Sequence, residues 1–176
     1  MFSTRPLMGE PLALDLINTE WLEGQAVLDL LASKEGTRAW LDERALPYDE
    51  VLLPSIRTHL LHTRAALRGF LETPHDSGHQ QALNVVLARG RTLSFLSEHG
   101  PEERVEIEEE WRPAWLAASD LLNLLRTAPE RLKKCANPAC VLHFHDTSPK
   151  NARRWHDMKT CGNRAKAARH YRKTHS

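Results

Sequence analysis

The sequence has no long apolar run and only three cysteines, and each shortage excludes a class of protein. No stretch of the 176 residues approaches the roughly 18–20 apolar residues needed to cross a bilayer. The N-terminus shows no basic segment followed by an apolar one, which a secretory signal would have. An odd number of cysteines argues against a secreted disulfide framework. We therefore expect a cytoplasmic protein without membrane contact, whose cysteines are free thiols or metal ligands.

Sequence signatures of common catalytic mechanisms are also missing. We find no Gly-rich phosphate-binding loop, no Ser-centred nucleophile elbow and no His-Glu-x-x-His pair. Ten histidines are present, but half of them lie in the basic C-terminal part and the others are scattered. We expect no catalytic residues and no enzyme activity.

Charge is divided unevenly along the chain. Residues 131–176 carry 12 Lys and Arg against two acids, whereas residues 1–130 carry 12 against 21. The overall charge of +1 therefore hides an acidic body and a basic end. Such asymmetry indicates a polyanionic partner at the basic end.

All three cysteines lie within this basic end, close to histidines. Cys135 and Cys140 are separated by four residues, and Cys161 follows His156 at the same separation. Two close pairs joined by a longer span are typical of a tetrahedral metal site, because each pair comes from one tight turn. Thiolates and imidazole favour zinc over calcium or magnesium. The spacing predicts one structural Cys3His zinc site. The alternative interpretation is that the cysteines are buried thiols that bind no metal.

The fourth ligand has two candidates. His156 pairs naturally with Cys161, but His145 also follows Cys140 at a four-residue gap. His145 lies in the alternating run 141–145, which predicts a short strand. We take His156 as the ligand, with His145 as the alternative.

Two motifs give the chain a family resemblance. The N-terminal motif is the run 14–19 (Leu-Asp-Leu-Ile-Asn-Thr), and the C-terminal motif consists of Cys135-x4-Cys140, Phe144-x-Asp146-x-Ser148, Arg153-Arg154-Trp155-His156-x-Met158 and Cys161-Gly162-Asn163-Arg164-x-Lys166. The C-terminal motif resembles the CGNR zinc finger, and the N-terminal motif resembles the opening of the ABATE domain, which precedes that finger in stress-induced transcription regulators. The finger family usually has cysteine where this chain has His156, a change that keeps the coordination number and raises the charge of the site by one.

The resemblance implies a regulator that binds DNA through its C-terminal module, with an N-terminal domain that senses a small-molecule ligand or a partner. Asp15 and Asn18 are the polar positions of the opening motif and the candidate ligand-binding residues; the alternative is that they cap a turn or helix. The competing function is a protein- or RNA-interaction module with a purely architectural finger. The oligomeric state stays open.

The hydrophobic pattern predicts a mainly α fold with minor β (α+β), consisting of an N-terminal helical domain (1–129) and a small zinc-stabilised strand and helix module (130–176). Residues 12–19 fit a strand or a helix equally well. Helices are predicted to follow Ser33, to cover 54–72, 79–89 and 113–126, and a strand to cover 90–96. The glutamate-rich run 102–110 predicts the solvated first half of a helix.

A last helix is predicted from about residue 161 to about residue 173. Basic side chains on a zinc-fixed helix suit phosphate contacts and the DNA major groove. Asn163, Arg164 and Arg169 are the candidates for reading bases. The predicted nucleic-acid-binding residues are Arg153, Arg154, Asn163, Arg164, Lys166, Arg169, Arg172 and Lys173.

Overall fold

A computed structural model describes residues 5–167, and within them the predicted fold class, mainly α with minor β, is confirmed. The helices are α1 (Leu12–Ile17), α2 (Lys34–Glu43), α3 (Leu53–Glu72), α4 (Ser77–Leu87) and α5 (Arg112–Thr127). The strands are β1 (Glu20–Glu23), β2 (Ala26–Asp29), β3 (Gly90–Ser97), β4 (Gly100–Ile107), β5 (Leu132–Lys134) and β6 (His143–His145). They pair as three separate antiparallel hairpins, β1–β2, β3–β4 and β5–β6. Short 3₁₀ turns cover Leu30–Ala32, Glu50–Leu52, Glu109–Trp111 and Pro129–Arg131.

Helix α1 forms the centre of the core. It packs against α3 and α5, and Leu14, Leu16 and Ile17 are fully buried. Five of its six residues are buried, Asp15 among them, so the helix has no exposed polar face that would give it an amphipathic pattern. This explains why periodicity alone left residues 12–19 undecided between strand and helix.

The helices predicted after Ser33 and over 54–72, 79–89 and 113–126 are confirmed, as is the strand predicted at 90–96. The Ser33 side chain caps α2 by accepting from the Gly36 backbone N–H at 3.0 Å. Helix α3 buries Ile56, Leu60 and Leu67, which recur at helical spacing along one face. The core therefore follows the apolar stripes that the sequence displays.

The helix predicted for residues 102–110 is wrong, because residues 102–107 belong to β4 and the run then enters the 3₁₀ turn Glu109–Trp111. Strand β4 pairs with β3 along its whole length, with Arg91 opposite Glu106 and Phe95 opposite Glu102. Helix propensity is a weak preference that pairing with a neighbouring strand overrides. Here the two-residue turn at 98–99 places residues 102–107 directly opposite β3.

The sequence interpretation also missed the hairpin β1–β2. Its two-residue turn is Gly24-Gln25, and Gly24 has φ +64°, which glycine adopts without strain. Asp29 ends β2 and receives two hydrogen bonds from the Arg64 guanidinium of α3, at 2.6 and 2.7 Å. The hairpin is thereby fixed to the helical core.

The basic module begins with β5 and continues through β6 to a π-helical turn at Met158–Gly162. Residues 163–167 are helical, as predicted, and residues 168–173 of the expected helix lie outside the described residues. The boundary at residue 129 stays a prediction. In residues 5–167 no helix combines the length and the apolar character that spanning a membrane requires.

Candidate metal centre

Two segments of the basic module supply the candidate metal ligands. Cys135 comes directly after β5, where its backbone N–H donates to the Leu142 carbonyl at 2.9 Å and extends the β5–β6 pairing. The chain then turns at residues 137–140, where the Cys140 N–H donates to the Asn137 carbonyl at 2.9 Å. The first pair of thiols is therefore held by one tight turn, as its spacing predicts.

The second pair lies on the approach to the last helix. Cys161 belongs to the π-helical turn Met158–Gly162, and the Asp157 carboxylate caps that turn by accepting from the Thr160 N–H at 2.7 Å. His156 immediately precedes this cap. The Gly162 N–H donates to the Asp157 carbonyl at 3.1 Å, a five-residue span that closes the turn and directs Cys161 inward.

The four side chains converge on one buried point. One ligand atom from each of Cys135, Cys140, His156 and Cys161 can be chosen so that all four lie within 4.8 Å of one another. Cys140 Sγ and His156 Nδ1 are 3.6 Å apart, and each of the four residues is at most 9% exposed. Zinc–sulfur and zinc–nitrogen bonds of about 2.3 and 2.0 Å at tetrahedral angles require separations of about 3.5–3.8 Å. This donor set fits one structural zinc ion, which these residues hold.

The pKa values of the three thiols also favour a bound cation. Hydrogen bonding with the Cys140 thiol lowers the pKa of Cys135, and the same contact raises the pKa of Cys140. Burial raises the pKa of Cys161 as well. Without a metal, one thiolate therefore suppresses ionisation of its neighbours, whereas a divalent cation allows all three to ionise.

Asn137 supports the site from outside the ligand set. Its side-chain N–H donates to Cys161 Sγ at 3.2 Å, and its side-chain oxygen accepts from the Ala139 N–H at 3.1 Å. One amide thus shapes the first turn and orients a sulfur from the second. Such outer contacts fix ligand geometry and tune the metal.

Asp146 organises the segment between the two ligand pairs. Its fully buried carboxylate accepts from Lys133 Nζ at 2.6 Å, the Arg153 N–H at 2.8 Å and the Ser148 N–H at 2.9 Å. Burial alone would raise the pKa of Asp146, but these hydrogen bonds outweigh it and hold the pKa well below its usual range. The Phe-x-Asp-x-Ser motif is therefore a structural device that anchors the basic loop.

An arginine side chain lies beside each of the two aromatic rings of the motif. Phe144 is fully buried, with the Arg153 guanidinium 4.8 Å from its ring centroid. Trp155 packs against the hydrophobic core, and the Arg154 guanidinium lies 5.2 Å from its ring. These contacts use arginine as a planar cover over an aromatic face.

His145 lies apart from the cluster. Its backbone N–H donates to the Glu10 carboxylate at 2.7 Å, which fastens β6 to the segment before α1. The metal cluster of the described residues contains His156 and not His145. The geometry thus agrees with the choice made from spacing.

The predicted nucleic-acid-binding residues have different roles in the structure. Arg153 is half-buried and donates to the His156 carbonyl at 2.7 Å, so its guanidinium is part of the module's framework. Arg154, Asn163, Arg164 and Lys166 are exposed. Arg169, Arg172 and Lys173 lie outside the described residues.

The two candidate ligand-binding residues of the N-terminal domain are fully buried in protein contacts. The Asp15 carboxylate accepts from Arg5 at 3.0 Å, from Trp40 Nε1 at 2.8 Å and from the Gly9 N–H at 3.1 Å. The Asn18 amide donates to the His143 carbonyl at 2.8 Å and accepts from the His143 N–H at 3.0 Å. Neither side chain is exposed. Both make contacts with distant parts of the chain, in place of the turn or helix cap that the structural alternative described.

Sequence reasoning missed the side chains that join the module to the rest of the chain. Lys134 of β5 pairs with Glu72 of α3 at 2.7 Å, and Glu10 and Asn18 hold β6. A local pattern gives little sign of such contacts, because their partners are 62 to 135 residues away.

A helical body joined to a small Cys3His module defines a zinc-finger protein with an N-terminal α+β domain. Residues 131–174 match the family model for the CGNR zinc finger, and residues 10–129 match the ABATE model, described as "Putative stress-induced transcription regulator". The chain belongs to this ABATE family and ends in a CGNR zinc finger. No curated protein matches it.

Proposed function

We propose that this protein is a transcription regulator that binds DNA through its zinc-stabilised basic module. The observation that carries the proposal is a division of the module's cations into two groups. Among the described residues, one group is paired with acids or carbonyl groups and builds the module, and the other is exposed without an acidic partner.

The internal group consists of cations with identified acceptors. Lys133 pairs with Asp146, Lys134 with Glu72, and Arg131 donates to the Asp146 and Ser148 carbonyls at 2.6 and 3.0 Å. Their charges are balanced by neighbouring acids or carbonyl dipoles. Arg131 and Lys133 are therefore unavailable to a polyanion, whereas Lys134 is held only by an exposed ion pair.

The second group lies along the loop and turn around the zinc ligands. In the part of the chain that the structure describes, no carboxylate pairs with Lys150, Arg154, Lys159, Arg164 or Lys166, and all five are exposed. Clustered like charges of this kind raise local potential and attract phosphates. An open groove of about 630 Å³ runs beside residues 148–158, with Arg153 and Arg154 among its lining residues.

A closed ligand set supports a role without catalysis. Four protein ligands leave a tetrahedral zinc ion no open position for water or substrate. Zinc binding would instead supply the free energy that folds the module. We propose that the protein is not an enzyme and acts in the cytoplasm, where DNA and reduced thiols occur together.

Ligand sensing is not part of the proposal, because Asp15 and Asn18 are buried in internal contacts. Asn18 has a different consequence for function. Since it holds β6 against α1, the N-terminal domain fixes the orientation of the basic module.

The test is fluorescence anisotropy of a labelled duplex with the zinc-loaded full chain at about 50 and 200 mM salt. We expect binding that weakens by about 10-fold or more between the two salt concentrations, because phosphate contacts release counterions. Arg154→Gln and Arg164→Gln should each weaken binding and reduce the salt dependence. Arg126→Gln, at the exposed end of α5, removes the same charge outside the module and should bind as the parent does.

Two results would contradict the proposal. One is no binding at the lower salt concentration, and the other is equal effects of the three substitutions. Competition with unlabelled single-stranded RNA separates DNA binding from the alternative RNA role. Displacement by RNA at lower concentration than by duplex would favour that alternative.

A further inference from the structure

The groove beside residues 148–158 combines apolar and cationic lining. Its volume of about 630 Å³ lies in the range of sites that bind small organic groups. Lys150 and Arg154 line it and are exposed without a carboxylate partner among the described residues. Phosphate contacts account for these cations, but they leave the apolar lining without a role. The apolar lining residues are Pro149, Ala152, Trp155 and Met158.

Internal hydrogen bonds hold the backbone of the groove in one shape. Lys133 Nζ donates to the Asn151 carbonyl at 2.7 Å and to the Arg153 carbonyl at 3.3 Å. The Asn151 amide donates to the Glu130 carbonyl at 3.1 Å, and the Arg153 guanidinium donates to the His156 carbonyl at 2.7 Å. A site that is fixed in this way loses little conformational entropy when a ligand binds.

One apolar lining residue is unusually accessible. Met158 is 47% exposed, although it lies at the start of the π-helical turn. A Cβ atom at position 162 would lie 2.7 Å from the Met158 sulfur, so glycine there leaves room for the methionine. An unbranched thioether adapts its shape to an irregular apolar partner.

Arg154 adds a planar surface to the same groove. Its guanidinium lies 5.2 Å from the centroid of the Trp155 ring. Trp155 is half-buried and packs against the hydrophobic core, whereas Arg154 is exposed. The guanidinium plane is therefore the more accessible of the two. Arginine planes and aromatic rings are the surfaces on which unstacked nucleobases stack.

These groups match a nucleobase that carries its backbone phosphates. A base has a flat face for Arg154 and Met158 to contact, and the flanking phosphates supply negative charge for Lys150 and Arg154. A base inside a duplex has both faces covered by its neighbours, so only an unpaired or extruded base can enter. An apolar peptide segment fits less well, because it would leave both cations without an anionic partner.

We propose that the groove of residues 148–158 holds one unpaired base of DNA, so that the module prefers duplexes containing such a base to fully paired ones. The inference rests on the proposed DNA binding and names the form of DNA that is bound. Asp157 also lines the groove, but its carboxylate accepts from the Thr160 N–H and hydroxyl at 2.7 and 2.9 Å.

The test measures binding of the zinc-loaded full chain to three labelled duplexes of one sequence by fluorescence anisotropy. One duplex is fully paired, one contains a single unpaired thymine, and one has an abasic nucleotide in place of that thymine. We expect the unpaired thymine to strengthen binding about 10-fold or more, as the stacking of one base provides. The abasic duplex has the same interrupted backbone without the base, and should bind as the paired duplex does.

The ratio of the affinities for the thymine-containing and paired duplexes reports on individual side chains. Arg154→Lys keeps the charge but removes the plane, so the ratio should fall towards unity. Arg164→Lys makes the same change at an exposed position outside the groove and should retain the ratio. Met158→Ala should reduce the ratio, whereas Met8→Ala, at a methionine that is 49% exposed in the N-terminal domain, should retain it.

The outcomes separate this inference from the proposed function. Equal affinity for the thymine-containing and paired duplexes would overturn the inference and leave DNA binding intact. Equal affinity for the thymine-containing and abasic duplexes would overturn it as well, because the backbone alone would then be recognised. Displacement of the duplex by free thymidine monophosphate, or a ratio unchanged by Arg154→Lys, would remove the DNA base from the groove. Absence of binding to all three duplexes would overturn the proposed function itself.

Discussion

The side chain of Asn18 holds both backbone polar groups of His143, although the two residues are 125 positions apart. Asn18 lies at the end of α1 and His143 opens β6, so one amide joins the helical core to the zinc module. The Asn18 amide thus makes the two hydrogen bonds with β6 that the backbone of a neighbouring strand would otherwise make. The opening motif of the N-terminal domain is therefore a docking element for the module.

Asn18→Ala should lower the free energy of unfolding by about 2–3 kcal/mol, because it leaves a buried N–H and a buried carbonyl unpaired. Urea denaturation of the zinc-loaded protein measures the change. Asn123→Ala, an exposed position on α5, should change stability by less than about 0.5 kcal/mol. Similar losses in the two variants would mean that the docking contact contributes little.

Metal analysis should give about one zinc per chain, and His156→Ala should lose zinc to a chelator far faster than the parent. The imidazole is one of four ligands, so its loss opens the site to water. His145→Ala removes a histidine of the same module outside the cluster and should retain the metal. Faster zinc loss from His145→Ala would move the fourth ligand to that residue.

Asp146→Asn should speed zinc release and lower the free energy of unfolding, because Lys133 loses the negative charge with which it forms its ion pair. Removing one partner of a buried pair costs about 3–5 kcal/mol. Asp157→Asn is matched in charge, since Asp146 and Asp157 are the two acids of residues 131–176. Asp157 caps an exposed turn, and its replacement should have a smaller effect. Equal effects would indicate that net charge, and not the Asp146 contacts, controls the module.

The Asp29–Arg64 pair should make part of the stability dependent on pH. Burial alone would raise the pKa of Asp29, but hydrogen bonds and charge from Arg64 outweigh it and lower the pKa. A lowered pKa in the folded state stabilises the protein above the unfolded pKa of about 3.9, and this contribution is lost as pH falls further.

Asp29→Asn should therefore be less stable than the parent at pH 7, by about 1–3 kcal/mol. The difference between the two proteins should narrow as pH falls below about 4. Urea midpoints at pH 7, 5 and 3.5 provide the measurement, and taking the difference at each pH cancels the titration of the metal ligands. A stability difference between the parent and Asp29→Asn that stays constant down to pH 3.5 would show that the charge of Asp29 does not produce the difference.

Short-range sequence patterns were sufficient to predict most of the helices and the metal centre. Ser33 capped α2 as its position predicted, and the spacing of Cys135, Cys140, His156 and Cys161 reflects two turns whose geometry is set within a few residues. Caps and ligand pairs depend on neighbours in sequence, so a sequence pattern is enough to find them.

The sequence was a poorer guide where a residue's role depends on partners that are distant along the chain. The glutamates of residues 102–110 suggested a helix, but residues 102–107 pair with β3 and form a strand. Asp15 and Asn18 resembled ligand-facing polar residues, whereas their partners are Arg5, Trp40 and His143. The sequence does not distinguish a polar residue that makes a buried internal contact from one that binds a ligand, because both roles use the same functional groups.

By itself the sequence determined the metal, its three cysteine ligands and the basic character of the module, because these follow from residue types at short spacing. Only the tertiary structure decided that His156 and not His145 completes the ligand set, how the module is attached and which of its cations are free. Lys133 and Arg164 are both simple basic residues in the sequence, yet one is fixed by buried Asp146 and the other is exposed without an acidic partner among the described residues. Burial and the positions of distant acids make that distinction, and both arise only when the chain folds.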